Sequence, residues 1–333
     1  MNIILSFIII IIVSFIFSKI ARRFHLSEVI GLILAGIVLT VPGFRHLIIG
    51  GHEILMENLA IVGLGTLMFL AGFEVSGNLL FKEEKDAITV TIFTLFTSLI
   101  LATLVFLSLG YSLAASLIMG VCFGITAEGT KARALIQLNK LKTKIGALLM
   151  GVGIINDMIG VFLLFLISYI FTSSFEIKEI LILLLVLISF FAGIFVHYHL
   201  NRFSRSVKRL EKFLLYILVP FFFVNMGAKF DFGVLALDWH IVLIVIITAT
   251  AGQILGVYLT KPITKLSGKQ LFLVGWGMNS KGAVELAIAY IALTIGLLPA
   301  VLYSSLVVTA LVSTMLFQVI FFYMVKKYPR IMK

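Results

Sequence analysis

The chain is a succession of long apolar runs separated by short polar clusters. Eleven runs can be drawn, at 2–20, 27–42, 56–74, 87–109, 112–137, 145–172, 178–197, 212–228, 236–260, 270–296 and 299–325. Most hold about 20 residues, the length that carries an α-helix across the hydrocarbon core of a bilayer. The second and eighth are short enough to be re-entrant or differently tilted. The pattern predicts an all-α polytopic membrane protein with about 11 transmembrane helices. The opening run, MNIILSFIIIIIVSFIFSKIARRF, has its positive charges after the apolar stretch and shows no small-residue cleavage site. It reads as a retained first span rather than a removed signal peptide.

Basic residues test this division. Loops after odd-numbered runs hold 22 of the 26 lysines and arginines, among them Lys82, Lys131, Arg133, Lys140 and Arg202, whereas loops after even-numbered runs hold 3, namely Arg45, Lys178 and Lys229. Such alternation is what the positive-inside rule produces, and a miscounted run would break its phase. It places the N-terminus outside and the C-terminus in the cytoplasm, with the cell (inner) membrane as the expected location. The stretch KARALIQLNKLKTK reads as a basic cytoplasmic helix end.

Composition agrees, with 61% hydrophobic and 12% charged residues and a mean hydropathy of +1.19. Soluble domains average about 25% charged residues. No polar stretch exceeds about 20 residues, so the function is expected inside the membrane part. The net charge of +11 is explained by orientation and does not point to nucleic acid. Cys122 is the sole cysteine, which excludes an intrachain disulfide and a cysteine metal cluster. No nucleophile triad, phosphate loop or metal-ligand spacing is present, so neither an enzyme nor a cofactor is expected. The six histidines, His25, His46, His52, His197, His199 and His240, fall near loops or run ends and read as ordinary interfacial residues.

A few charges interrupt the apolar runs. Lys281 is the one basic residue outside the loops, and Glu74, Glu128, Asp157 and Glu285 are the acids. A charge at the bilayer centre costs roughly 2.5–3.5 kcal/mol on insertion scales, so each needs a reason. Glu74 can snorkel from a run end, but Asp157, in GVGIINDMIGVFLLF, has long apolar flanks on both sides.

An internal repeat connects several of these charges. CFGITAEGT (122–130) aligns with GWGMNSKGA (275–283) at a constant offset of 153, pairing Thr126 with Asn279, Ala127 with Ser280, and Glu128 with Lys281. A weaker echo joins AGFEV (71–75) to MGAKF (226–230). The organisation expected is an extra N-terminal span at 1–26, a first repeat of five spans at 27–172, and an inverted second repeat at 173–333. Five is odd, so the second copy enters the membrane from the other side. Both matched segments carry glycine and small polar residues at mid-run. Glycine costs about 1 kcal/mol in a helix interior, and Ser, Thr and Asn offer competing hydrogen bonds. Both spans are therefore expected to unwind there, a paired interruption that marks transporter binding sites. Glu128 and Lys281 could neutralise the opposing dipole ends, or each other.

At these residues the sequence resembles the monovalent cation/proton antiporters, in the branch holding the Kef potassium-efflux systems and prokaryotic Na+/H+ exchangers. The resemblance runs through GLILAGIVL (31–39), LMFLAGFEV (67–75), GITAEGTKARALIQLNKLKTKIG (124–146), GIINDMIG (153–160), LVPFFFVNMGAKFDF (218–232) and GMNSKGAVELAIA (277–289). It implies a core with two crossed broken helices, Thr126–Thr130 against Asn279–Gly282, and a second panel that forms a homodimer interface. It implies Asp157 as the acid that holds a cation or a proton in turn. Asn156 stands where electrogenic members carry the first of two adjacent aspartates. Val152 stands where electroneutral members carry a glutamate. Lys281 fits one slot for the family's basic partner, and Gln253 fills the other.

The chemistry is consistent with those residues. Na+ and K+ are hard ions that favour oxygen, available from Asp157, the Asn156 amide, the Thr126 hydroxyl and unwound carbonyls. Glu128, Lys281, Asn279 and Ser280 would compensate charge around them. Glu285, at i+4 from Lys281, reads as its local partner or a further support of the site. One strongly placed acid makes one proton per cation the simplest stoichiometry. The competing readings are a Na+-coupled organic-anion symporter of similar fold, a cation channel, and a receptor or structural membrane protein.

Overall fold

The computed structural model describes residues 3–24, 28–48, 50–74, 84–172, 177–199, 205–328 and 330–332. Lys82, His25, Arg202 and the side chain of Glu74 lie outside the described residues. The described chain is all α. Its longer helices begin with α1 (Ile3–Arg23), α2 (Glu28–Leu39), α3 (Glu53–Glu74) and α4 (Glu84–Ser108). Next come α5 (Leu113–Gly124) and α6 (Glu128–Gln137), two halves of one apolar run, then α7 (Lys144–Phe171) and α8 (Ile177–His199). The eighth run is α9 (Arg205–Phe213), a π-helical turn at Leu214–Leu218 and α10 (Val219–Ala228). Finally there are α11 (Trp239–Leu259), the halves α12 (Gly268–Gly277) and α13 (Ala283–Thr294), and α14 (Ala300–Lys327).

Over the described residues every apolar run read from the sequence is thus mainly helical, two of them with a break. Nine helices among the described residues are long and apolar enough to span a bilayer, counting α5–α6 as one and α9–α10 as one, while α2 and α13 are shorter apolar helices. Local chemistry sets several boundaries. The Ser112 and Thr143 side chains accept the Ala115 and Gly146 N–H groups at 3.2 Å, capping α5 and α7, and Ser267 and Gln270 form a reciprocal capping box at α12. Arg22–Arg23 and Lys326–Lys327 close α1 and α14, where positive charge suits the C-terminal dipole.

The chain divides into two compact units that cut across the two sequence halves. Unit 1 is Met1–Val75 with Glu176–Phe230, and unit 2 is Ser76–Phe175 with Asp231–Lys333. In unit 1, α3 and α8 pack so closely that a Cβ at Gly72 would strike the Phe190 carbonyl and one at Gly193 the Phe69 carbonyl. An apolar cluster of Ile10, Leu39, Met56, Phe221 and Val224 joins α1, α2, α3 and α10. Its fully buried polar groups are small hydroxyls, Ser6, Ser14, Ser18 and Thr40. Unit 2 has its own apolar core, including Val90, Leu148, Leu149, Leu271, Val274, Phe317 and Phe321. Buried inside it are Glu128, Lys131, Asp157, Gln253, Lys281 and Glu285.

Candidate functional site

Both helix breaks lie in unit 2. The chain leaves α5 after Gly124, runs extended through Ile125 (φ −81°, ψ 148°) and Ala127 (φ −77°, ψ 107°), and re-enters a helix at Glu128. The second break covers Met278–Gly282, and the extended Gly282 precedes α13. The Ala127 N–H donates to the Ser280 carbonyl at 2.7 Å, so the two unwound segments touch at residues paired by the sequence repeat. The competing hydrogen bonds expected of small polar residues are present. The Asn279 amide donates to the Gly275 carbonyl at 3.0 Å and the Ser280 hydroxyl to the Gly277 carbonyl at 3.2 Å. From α14, the Thr314 hydroxyl accepts the Lys281 N–H at 3.0 Å and donates to the Lys281 carbonyl at 2.9 Å, holding the second break open.

The unwound part of the first break is shorter than Thr126–Thr130. Glu128, Gly129 and Thr130 are already helical. A carboxylate in the first turn complements the positive dipole end of α6, which favours resuming the helix there.

The charges pair locally. Of the two arrangements open for Glu128 and Lys281, the structure has the one in which each meets a helix end. The Lys281 ammonium donates to the carbonyls of Cys122 (3.1 Å), Phe123 (2.7 Å) and Ile125 (3.1 Å) at the C-terminal end of α5. These are the carbonyls the break frees, and the negative dipole end of that half-helix lies with them. Glu285 is 3.9 Å from the Lys281 ammonium and fully buried, at i+4. Gln253, from α11, donates its amide to the Phe123 carbonyl as well.

Glu128 pairs with Lys131 at 3.2 Å. This overturns the placement of Lys131 in a cytoplasmic loop, because its side chain is 0% exposed. Its ammonium also donates to the Thr126 hydroxyl at 2.7 Å and to the Leu149 carbonyl at 3.0 Å. Sequence reasoning missed it because Lys131 opens the basic stretch KARALIQLNKLKTK and counts as one more loop charge. The usable signal was its i+3 spacing from an acid already known to need burial.

α7 lies along the first break. Positions 153, 157 and 160 share one helix face, being four and three residues apart. A Cβ at Gly153 would strike the Glu128 carboxylate and the Lys131 ammonium, and one at Gly160 would strike the Ile125 side chain. Asp157, 5% exposed, therefore occupies the face of α7 applied to the break. Its neighbour Asn156 donates its amide to the Gly124 carbonyl at 2.8 Å, while its own Oδ1 is buried with no hydrogen-bond partner among the described residues. The structure thus gathers Thr126, Glu128, Asn156, Asp157, Asn279, Ser280, Lys281 and Glu285 in one unit. It adds Lys131, Gln253 and Thr314.

Broken helices that touch at a buried cluster of charges, within a bundle of membrane-length helices, define a polytopic membrane protein of the broken-helix transporter type. A family model described as "Sodium/hydrogen exchanger, transmembrane" matches residues 7–211 and 177–327, and the chain belongs to that family. It is 25% identical to a "Na(+)/H(+) antiporter" of Enterococcus hirae, over 93% of this chain and 94% of that one. It is 21% identical to the "Na(+)/H(+)-K(+) antiporter GerN" of Bacillus cereus, over 88% and 89%. Its fold is similar to the sodium proton antiporter MjNhaP1 of Methanocaldococcus jannaschii, with a TM-score of 0.68, 15% identity and coverage of 98% and 99%. These relatives are transporters rather than enzymes, and none is named as an organic-anion symporter or a channel.

Proposed function

We propose that the chain is a secondary active antiporter that exchanges protons for Na+ or K+ by alternating access, with Asp157 as the group that proton and cation share. The observation that carries this reading is the position of Asp157. It is an acid in an otherwise apolar membrane-length helix, nearly fully buried, on the face pressed against a helix break. A carboxylate at membrane depth is costly, and such groups mark ion and proton pathways. The carboxylate would be negative when it holds the metal ion and neutral when protonated, so occupancy by one excludes the other. The Asn156 Oδ1 and the carbonyls of the breaks are the further oxygens at hand. One such acid supports electroneutral exchange of one proton for one cation.

Both cations are kept because the Enterococcus hirae relative is named for Na+ and the Bacillus cereus relative for Na+ and K+. The basic-residue alternation supports a cell-membrane protein with the N-terminus outside and the C-terminus cytoplasmic. Transfer of Lys131 from a loop to the interior leaves that bias intact. The inverted-repeat organisation is supported by the matched breaks, and a homodimer by the resemblance to the family. Reconstituted liposomes carrying an interior pH dye test the reading. Addition of Na+ or K+ should alkalinise or acidify the lumen according to the gradients imposed. Asp157→Asn should reduce that response to the level of protein-free vesicles, and an unchanged response would remove the assignment.

A further inference from the structure

The Lys131 ammonium is held as a metal ion would be. It is fully buried and has three oxygens around it: it donates to the Thr126 hydroxyl at 2.7 Å and the Leu149 carbonyl at 3.0 Å and pairs with the Glu128 carboxylate at 3.2 Å. These come from a half-helix, the break before it and the adjacent α7. Both Glu128 carboxylate oxygens are buried without a hydrogen-bond partner among the described residues, so the cluster has more ligand capacity than one ammonium uses. A carboxylate, a hydroxyl and a peptide carbonyl are the oxygen types that hard cations select. An ammonium group and K+ are close in size, and both suit the separations seen here. Gly153 keeps the cluster against α7 because any side chain there would collide with both charges. Asp157 is one helical turn further along the same face.

We propose that Thr126, Glu128 and the Leu149 carbonyl form a second monovalent-cation site, which the chain fills with its own Lys131 as a tethered cation. The arrangement rests on the antiporter reading only for its purpose. It holds the number of exchangeable cations beside Asp157 at one, and it commits the Thr126 hydroxyl to Lys131 instead of the transported ion. Removing the ammonium while keeping Glu128 would open the site to a free cation of potassium's size.

The test is binding of radioactive Rb+, as a K+ stand-in, to purified protein in detergent. Lys131→Met should bind one more Rb+ per chain than the unaltered protein, and Glu128→Gln/Lys131→Met should return to the original stoichiometry. Lys131→Met should also melt lower in N-methylglucamine buffer and regain several degrees in KCl or RbCl, whereas the double variant should not respond. LiCl should restore less than KCl, since the cage is built to ammonium dimensions. No extra Rb+ in a folded Lys131→Met protein would overturn the proposal. So would a Lys131→Met protein that cannot be recovered in KCl while the double variant can. Repeating the binding in an Asp157→Asn background separates this claim from the one above. The extra Rb+ should persist there, and exchange that survives Asp157→Asn would sink the Asp157 assignment without touching the cage.

Discussion

The two helix breaks carry the same kinds of charge in different arrangements. At the second, Lys281 lies inside the unwound segment and reaches across to three backbone carbonyls at the C-terminal end of α5 and the first break, with Glu285 further off at 3.9 Å. At the first, Lys131 lies within the following half-helix and grips a carboxylate, a hydroxyl and one carbonyl. Backbone carbonyls at a helix end stay where the helix puts them and need a permanent counter-charge. Side-chain oxygens can change partners. On the readings proposed above, Lys281 serves structure and Lys131 the control of ligands.

The largest effect should follow from Lys281→Ala. It leaves three freed carbonyls and Glu285 without their cation, and removing one member of a buried pair costs about 3–5 kcal/mol. Thermal unfolding in detergent should show a severe loss, and Lys281→Gln should recover part of it through its amide donors. A variant that melts like the unaltered protein would erase the contrast. Gly153→Ala should come next, at about 1–3 kcal/mol from overpacking. It should also impair exchange in liposomes by pushing Glu128 and Lys131 away from α7. The matching change on the opposite side of the Asp157 turn, Gly160→Ala, meets the apolar side chains of Ile125 and Ile288 and no charged group, and should cost less.

Asn156→Ala should cost about 1 kcal/mol through loss of the hydrogen bond to the Gly124 carbonyl. Its clearer signature is a raised apparent KM for the cation, because an oxygen beside Asp157 is lost. Unit 1 supplies the smallest effect. Its Lys178–Glu57 pair, at 3.1 Å, is substantially exposed on both sides. Lys178→Ala should change stability by about 0–1 kcal/mol and leave exchange as it was. A large effect there would show that surface charge matters as much as the buried clusters.

Much of this architecture was written in the sequence because each element carries its own signal. Hydropathy marks a membrane helix without reference to its neighbours, so all eleven runs could be drawn in advance. The breaks were legible because Gly124 and Gly129 match Gly277 and Gly282 in the two halves and sit with small polar residues. Asn279 and Ser280 then bond back to the helix as their chemistry suggests. The depth of Lys131 was not legible. A lysine followed by Arg133 and Lys140 looks like a loop residue until α7 is laid against it. The pairings of Glu128 and Lys281 were open for the same reason, since the carbonyls and carboxylates they meet are brought together by packing alone. Thr314 and Gln253 act on the breaks from helices 33 residues and 130 residues away in sequence, beyond the reach of any local pattern.

The central claim is that proton and metal ion compete for one carboxylate. It is tested most directly by recording proton release when Na+ or K+ is added to purified protein in weakly buffered detergent. The account predicts one proton released for each cation bound to the Asp157 site, and none from a folded Asp157→Asn protein. Equal proton release from Asp157→Asn, or cation binding with no release from the unaltered protein, would contradict it.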